Sequence, residues 1–63
     1  MREYQLRVVI EKAELDIKIQ RLDAFLASSQ TNQVRPKELV RMVDQLDAMM
    51  LYSNILQSRI SKF

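Results

Sequence analysis

The sequence has no cysteine, histidine, glycine or tryptophan, and a single proline at Pro36. Without cysteine and histidine there can be no disulfide, and the usual zinc ligand sets are excluded. There is also no imidazole for proton transfer near neutral pH and no thiol nucleophile. The carboxylates and lysines that remain form no recognisable acid–base or nucleophile–base constellation, so the expectation is a protein that is not an enzyme and uses no metal or cofactor. Long apolar runs are missing as well. No stretch approaches the roughly 20 residues of a membrane span, and Met1-Arg2-Glu3-Tyr4 sets charges where a signal peptide needs an apolar core. The chain is therefore expected to be soluble and retained in the cytoplasm, which the lack of cysteine also fits.

Charge of one sign is in short supply too. Ten basic and eight acidic side chains leave a net charge of +2. No Asp or Glu follows Asp47, whereas Arg59 and Lys62 do. Cations near a helix C-terminus are favoured by the helix dipole, which accounts for most of that asymmetry. The basic excess is slight and contains no Lys/Arg run, so DNA is not an expected partner.

What the sequence does contain is helical periodicity. At 63 residues it fits one small domain, of a size that usually needs disulfides, metals or oligomerisation for stability. With the first two excluded, self-association remains. Two segments read as α-helices, at about 3–27 and about 36–61. The polar run Ser28-Ser29-Gln30-Thr31-Asn32-Gln33 lies in the loop between them, at about 28–35. Pro36 suits the first turn of the second helix, where its missing N–H is no loss, and Glu38 supports a helix start there. So short a connection makes the helices antiparallel neighbours. The fold class is all-α: residues 1–63 form one antiparallel two-helix hairpin that assembles into a helical homo-oligomer.

The first helix carries two apolar stripes. Leu6, Ile10, Ala13, Ile17 and Ala24 line one side, and Val8, Leu15, Ile19, Leu22 and Leu26 line nearly the opposite one. A hairpin uses only one stripe, so the second is expected to face another chain. The second helix shows a broad stripe of Leu39, Met42, Val43, Leu46, Met49, Met50, Leu56 and Ile60, with Leu51, Tyr52, Ile55 and Phe63 adding apolar surface elsewhere. Exposed together, these would form the kind of patch that marks an interface. The four methionines read as core filler at helical spacing.

Between the stripes of the first helix, Lys12, Asp16, Gln20 and Asp23 read as ordinary solvated surface. The other polar sector holds Arg7, Glu11, Glu14, Lys18 and Arg21, flanked by Tyr4 and Phe25. Pairing of Glu11 or Glu14 with Lys18 would explain much of it as helix support of about 0.2–0.5 kcal/mol per pair. An aromatic face can also stack on a nucleobase, and a lysine can pair with a phosphate. Tyr4 and Lys18 lie about 21 Å apart along a helix, so one small ligand touches both only if they come from different chains. Arg59 has no acidic residue within a helical turn, which leaves its donor fork open for a cross-chain pair or a phosphate.

Taken together, these residues resemble a known family. The first helix reads Tyr4-Gln5, Arg7-Val8-Val9, Glu11-Lys12-Ala13-Glu14-Leu15-Asp16, Lys18-Ile19, Arg21-Leu22 and Phe25. The second reads Pro36, Glu38, Arg41-Met42, Gln45-Leu46, Met49, Tyr52-Ser53, Leu56, Arg59-Ile60 and Phe63. The pattern is similar to the small phage proteins that sequester cyclic oligonucleotide messengers, the anti-CBASS sponge family (cyclic-oligonucleotide-based antiphage signalling). The resemblance implies a compact homohexamer in the cytoplasm of the infected bacterium that binds messengers without cleaving them. It implies cyclic dinucleotide pockets between two protomers, gripped by an N-terminal aromatic residue and a lysine further along the helix. Those positions fall on Tyr4 and Lys18, with Arg7 assigned to the same pocket. It further implies a separate cyclic trinucleotide site that uses an arginine of the last helix, here Arg59. Some members carry an N-terminal extension that this sequence does not show ahead of Tyr4, so a pocket wall made by it is not expected here. The competing reading is a small helical-bundle interaction protein that binds RNA or a protein partner.

Overall fold

In the computed structural model, which describes all 63 residues, the chain is an antiparallel helical hairpin with no strands. Helix α1 runs Glu3–Leu26, a 3-10 turn occupies Ser29–Gln33, and helix α2 runs Pro36–Ile60. No helix is long and apolar enough to cross a membrane. The molecule is a rod of 45 × 15 × 13 Å.

The ends of the helices follow from local chemistry. At the start of α1 the Gln5 side chain turns back to accept from the Arg2 backbone N–H at 2.8 Å, satisfying a donor the helix itself cannot. At its end the Ala27 N–H still donates to the Asp23 carbonyl at 3.1 Å, after which the serine-rich segment takes over. The Ser28 hydroxyl donates to the Phe25 carbonyl at 2.7 Å and accepts from the Gln30 N–H at 3.2 Å. Thr31 then donates from its hydroxyl to the Ser28 carbonyl at 3.0 Å. Side chains thus close the turn without any residue at positive φ, and the absence of glycine costs the fold nothing there. Pro36 occupies the first turn of α2 with its fixed φ.

The packing is that of an antiparallel coiled coil. Gln5, Val8, Lys12, Leu15, Ile19, Leu22 and Leu26 on α1 recur at alternating steps of three and four, and every one is buried or half-buried. On α2 the same rhythm picks out Leu39, Met42, Leu46, Met49, Ser53, Leu56 and Ile60. A repeat averaging 3.5 residues keeps both seams in register along the rod. Val8, Leu15 and Leu56 form the fully buried core, with Ile19, Met49 and Ile60 packed against it.

Two expectations need correction. Lys12 and Asp16 are not ordinary solvated surface. Lys12 stands in the seam and donates from Nζ to Asp16 Oδ2 at 2.6 Å, and the buried Ser53 donates from Oγ to Asp16 Oδ1 at 2.6 Å. This polar relay spans the two helices where the sequence suggests none. The hydrogen bonds from Lys12 and then from Ser53 hold the Asp16 carboxyl below its ordinary pKa. Second, the apolar stripe of α2 is narrower than expected, because Val43 and Met50 remain 46% and 50% exposed beside the seam.

The core of one hairpin is small. Only four of 63 residues are buried, and the chain exposes 5132 Å². A compact monomer of this mass exposes about 4,200 Å². Part of the excess is the second stripe of α1, where Leu6, Ile10 and Ile17 stand 50%, 47% and 48% exposed, and α2 adds Val40, Leu51 and Ile55.

Candidate functional site

Residues at every seventh position share one flank of a coiled-coil helix. Tyr4, Glu11, Lys18 and Phe25 have that spacing on α1 and stand immediately beside the seam. On α2 the equivalent positions are Glu38, Gln45, Tyr52 and Arg59, and antiparallel pairing brings the two rows to the same side of the hairpin. Tyr4, Lys18 and Arg59 therefore share a flank; the sequence pattern already sets Tyr4 beside the sector of Lys18, and the fold adds Arg59.

Lys18 lies in a shallow open concavity of about 240 Å³ lined by Glu14, Ile17, Lys18 and Arg21. All four residues belong to α1, so the hollow has a floor and no opposing wall. The expected pairing of Glu11 or Glu14 with Lys18 does not form. The chain's ion pairs are Arg7 with Glu3 at 2.7 Å, Lys12 with Asp16 at 2.6 Å and Arg41 with Glu38 at 3.3 Å. Lys18 and Arg21 are thus two cations one turn apart, with no carboxylate within 4.0 Å of either. Such a pair beside an apolar side chain suits an anionic ligand carrying a planar group.

Tyr4 is 54% exposed, and its ring meets Phe63 edge-on, with centroids 6.0 Å apart and an interplanar angle of 77°. The contact ties the start of α1 to the end of the chain. Because α1 is unbroken from Glu3 to Leu26, Tyr4 and Lys18 stay about 21 Å apart within one chain. Arg7 is held by Glu3 on the exposed side of the first turns. Arg59 lies in the last turn of α2, where a cation is favoured by the helix dipole. Glu11 comes level with it across the flank, yet the two do not meet within 4.0 Å. The structure leaves Tyr4, Lys18 and Arg59 on one side of the rod but does not join them into one pocket.

A protein-family model described as Sequestin matches residues 2–62, nearly the whole chain. The chain belongs to the Sequestin family. Membership is carried by both helices, and the matched span includes Tyr4, Arg7, Lys18 and Arg59. The family's name denotes sequestration, which fits the resemblance to sponge proteins drawn from the sequence. Comparison with curated proteins gives no match, and comparison with solved structures gives none. In this Sequestin hairpin Tyr4, Lys18 and Arg59 are spread along one flank.

Proposed function

We propose that this chain sequesters cyclic oligonucleotide second messengers without cleaving them, as a homo-oligomer whose ligand pockets are shared between protomers. The observation that carries the reading is the half-built hollow at Lys18. Its cations have no acidic partner and its far wall is missing, while the aromatic residue suited to stack on a base stands about 21 Å along the same rigid helix. Lys18 neutralises a phosphate, Tyr4 of a neighbouring protomer stacks on a purine, and Arg7 adds donors at the rim. Membership of a family named for sequestration and the excess of exposed apolar surface support the same reading. Holding a messenger this way inside the infected bacterium starves the host effector of the CBASS response, and stoichiometric binding needs no turnover. The hexamer follows from the family resemblance.

Titration calorimetry against cyclic di- and trinucleotides, with light scattering on the same sample, tests the proposal. Lys18→Ala is expected to abolish dinucleotide binding with the assembly size unchanged, and unaltered binding rejects the role of Lys18. Arg59→Ala is expected to spare dinucleotides and remove any trinucleotide binding. A stable monomer would sink the whole reading, and a steep salt dependence with RNA in place of a cyclic nucleotide would favour the RNA-binding alternative.

A further inference from the structure

The first four members of the outer stripe of α1 are spaced symmetrically. Leu6, Ile10, Ala13 and Ile17 are spaced four, three and four residues apart, so this part of the stripe reads the same from either end about a centre between Glu11 and Lys12. The three large residues stand about half exposed, nearly opposite the seam that packs on α2. Something of matching periodicity is needed to cover them, and a second α1 running the other way has it.

We propose that this stripe is a two-fold self-interface, in which α1 packs antiparallel on α1 of a second copy with Leu6 against the partner's Ile17 and Ile10 against the partner's Ala13. The inference rests on the self-association proposed above and specifies its geometry. Charge supports the register independently. In an antiparallel pair the residues beside the stripe face their own kind of position on the partner. Arg7 then faces the partner's Glu14 and Arg2 faces the partner's Asp23, each twice by symmetry, and none of these flanking pairs joins like charges. A parallel pair would set Arg2 against the partner's Arg7 and Asp16 against the partner's Arg21, one repulsive contact for each attractive one.

The register also completes the hollow at Lys18. Tyr4 comes within about 1.5 Å, measured along the axis, of the level of the partner's Lys18, and on the same side of the pair. Leu6 covers the partner's Ile17, which lines that hollow, and Arg7 reaches its rim at Glu14. Apolar spacing sets this register, and the juxtaposition of Tyr4 and the partner's Lys18 is a consequence of it.

Because the protein has no cysteine, engineered thiols report the register directly. Leu6→Cys/Ile17→Cys is expected to yield a covalent dimer on mild oxidation, since the two positions are about 16 Å apart within one helix and too far for an internal bridge. Either single variant should remain uncrosslinked. Efficient crosslinking by a single variant, or none by the double variant while circular dichroism shows intact helices, overturns the register. If the thiol variants misfold, charge reversal decides: Arg7→Glu and Glu14→Arg should each weaken self-association by about tenfold or more, and their combination should restore it. Failure of the combination to restore association also overturns the proposal. All of these measurements are made without ligand. A register that fails is therefore distinguishable from a ligand assignment that fails in calorimetry.

Discussion

The two faces of α1 are nearly equal in apolar content and opposite in fate. Val8 and Leu15 on the inner face vanish against Leu56, whereas Leu6, Ile10 and Ile17 on the outer face stay half in water. What separates them is partnership within the chain, because α2 is wide enough to cover one face only. The inner face also carries polar residues, Lys12 and its neighbour Asp16, whose bonds reach Ser53 on α2. The outer stripe from Leu6 to Ile17 has no polar member. The face that folds the chain tolerates a hydrogen-bonded polar insert, and such an insert fixes register against slippage. The uniformly apolar face holds nothing inside the hairpin and stays exposed.

That contrast can be broken in three graded ways. Leu56→Ala removes the most deeply buried side chain and should cost about 2–5 kcal/mol, read as a large drop in the thermal or urea midpoint. For a hairpin with so small a core, loss of cooperative folding is the expected extreme. Ile17→Ala should leave the hairpin's helix content intact and raise the dissociation constant of self-association roughly tenfold, measured by sedimentation. Equal loss of helix content in the two variants would dissolve the distinction between the faces. Ser53→Ala should give the smallest effect, and one that depends on pH. The Asp16 pKa is lowered in the folded state, so its stabilisation is present above the ordinary carboxylate range and is lost as pH falls through the depressed value. The difference in melting midpoint between wild type and Ser53→Ala should therefore be clear at pH 7 and shrink as the solution is acidified below the ordinary carboxylate range. A difference that does not change with pH would mean that the hydroxyl acts by packing alone.

Much of this was legible from the sequence. The helices, the serine-rich connection and the two opposed stripes of α1 follow from periodicity, because apolar spacing decides which surface a helix buries. The relay through Lys12, Asp16 and Ser53 was not legible. Polar residues at seam positions look like surface when only apolar residues are counted, and Ser53 and Asp16 are 37 residues apart. A step of 100° per residue also drifts by roughly 20° per heptad against a 3.5-residue seam, enough to place Val43 and Met50 in a stripe they border. At the candidate site the residue types were legible and the pairing was not. Lys18 has two acidic residues in helical reach and uses neither, although the exposed pairs Arg7–Glu3 and Arg41–Glu38 do form, so spacing alone does not decide which pairs close. That Arg59 joins the flank of Tyr4 and Lys18 emerges only once the seam is fixed, since flank positions on α2 are defined relative to it.

The straightness of α1 has one more consequence. A helix unbroken from Glu3 to Leu26 acts as a spacer that forbids a single chain from closing both ends of itself on one small ligand. In the proposed assembly, occupancy then depends on how much protein is present as well as on how much messenger. When the chain is scarce and dissociated, ligand capture rises more steeply than linearly with protein, because binding and assembly are linked by mass action. Such a protein works as a threshold device, nearly inert at low abundance and retentive once its subunits meet.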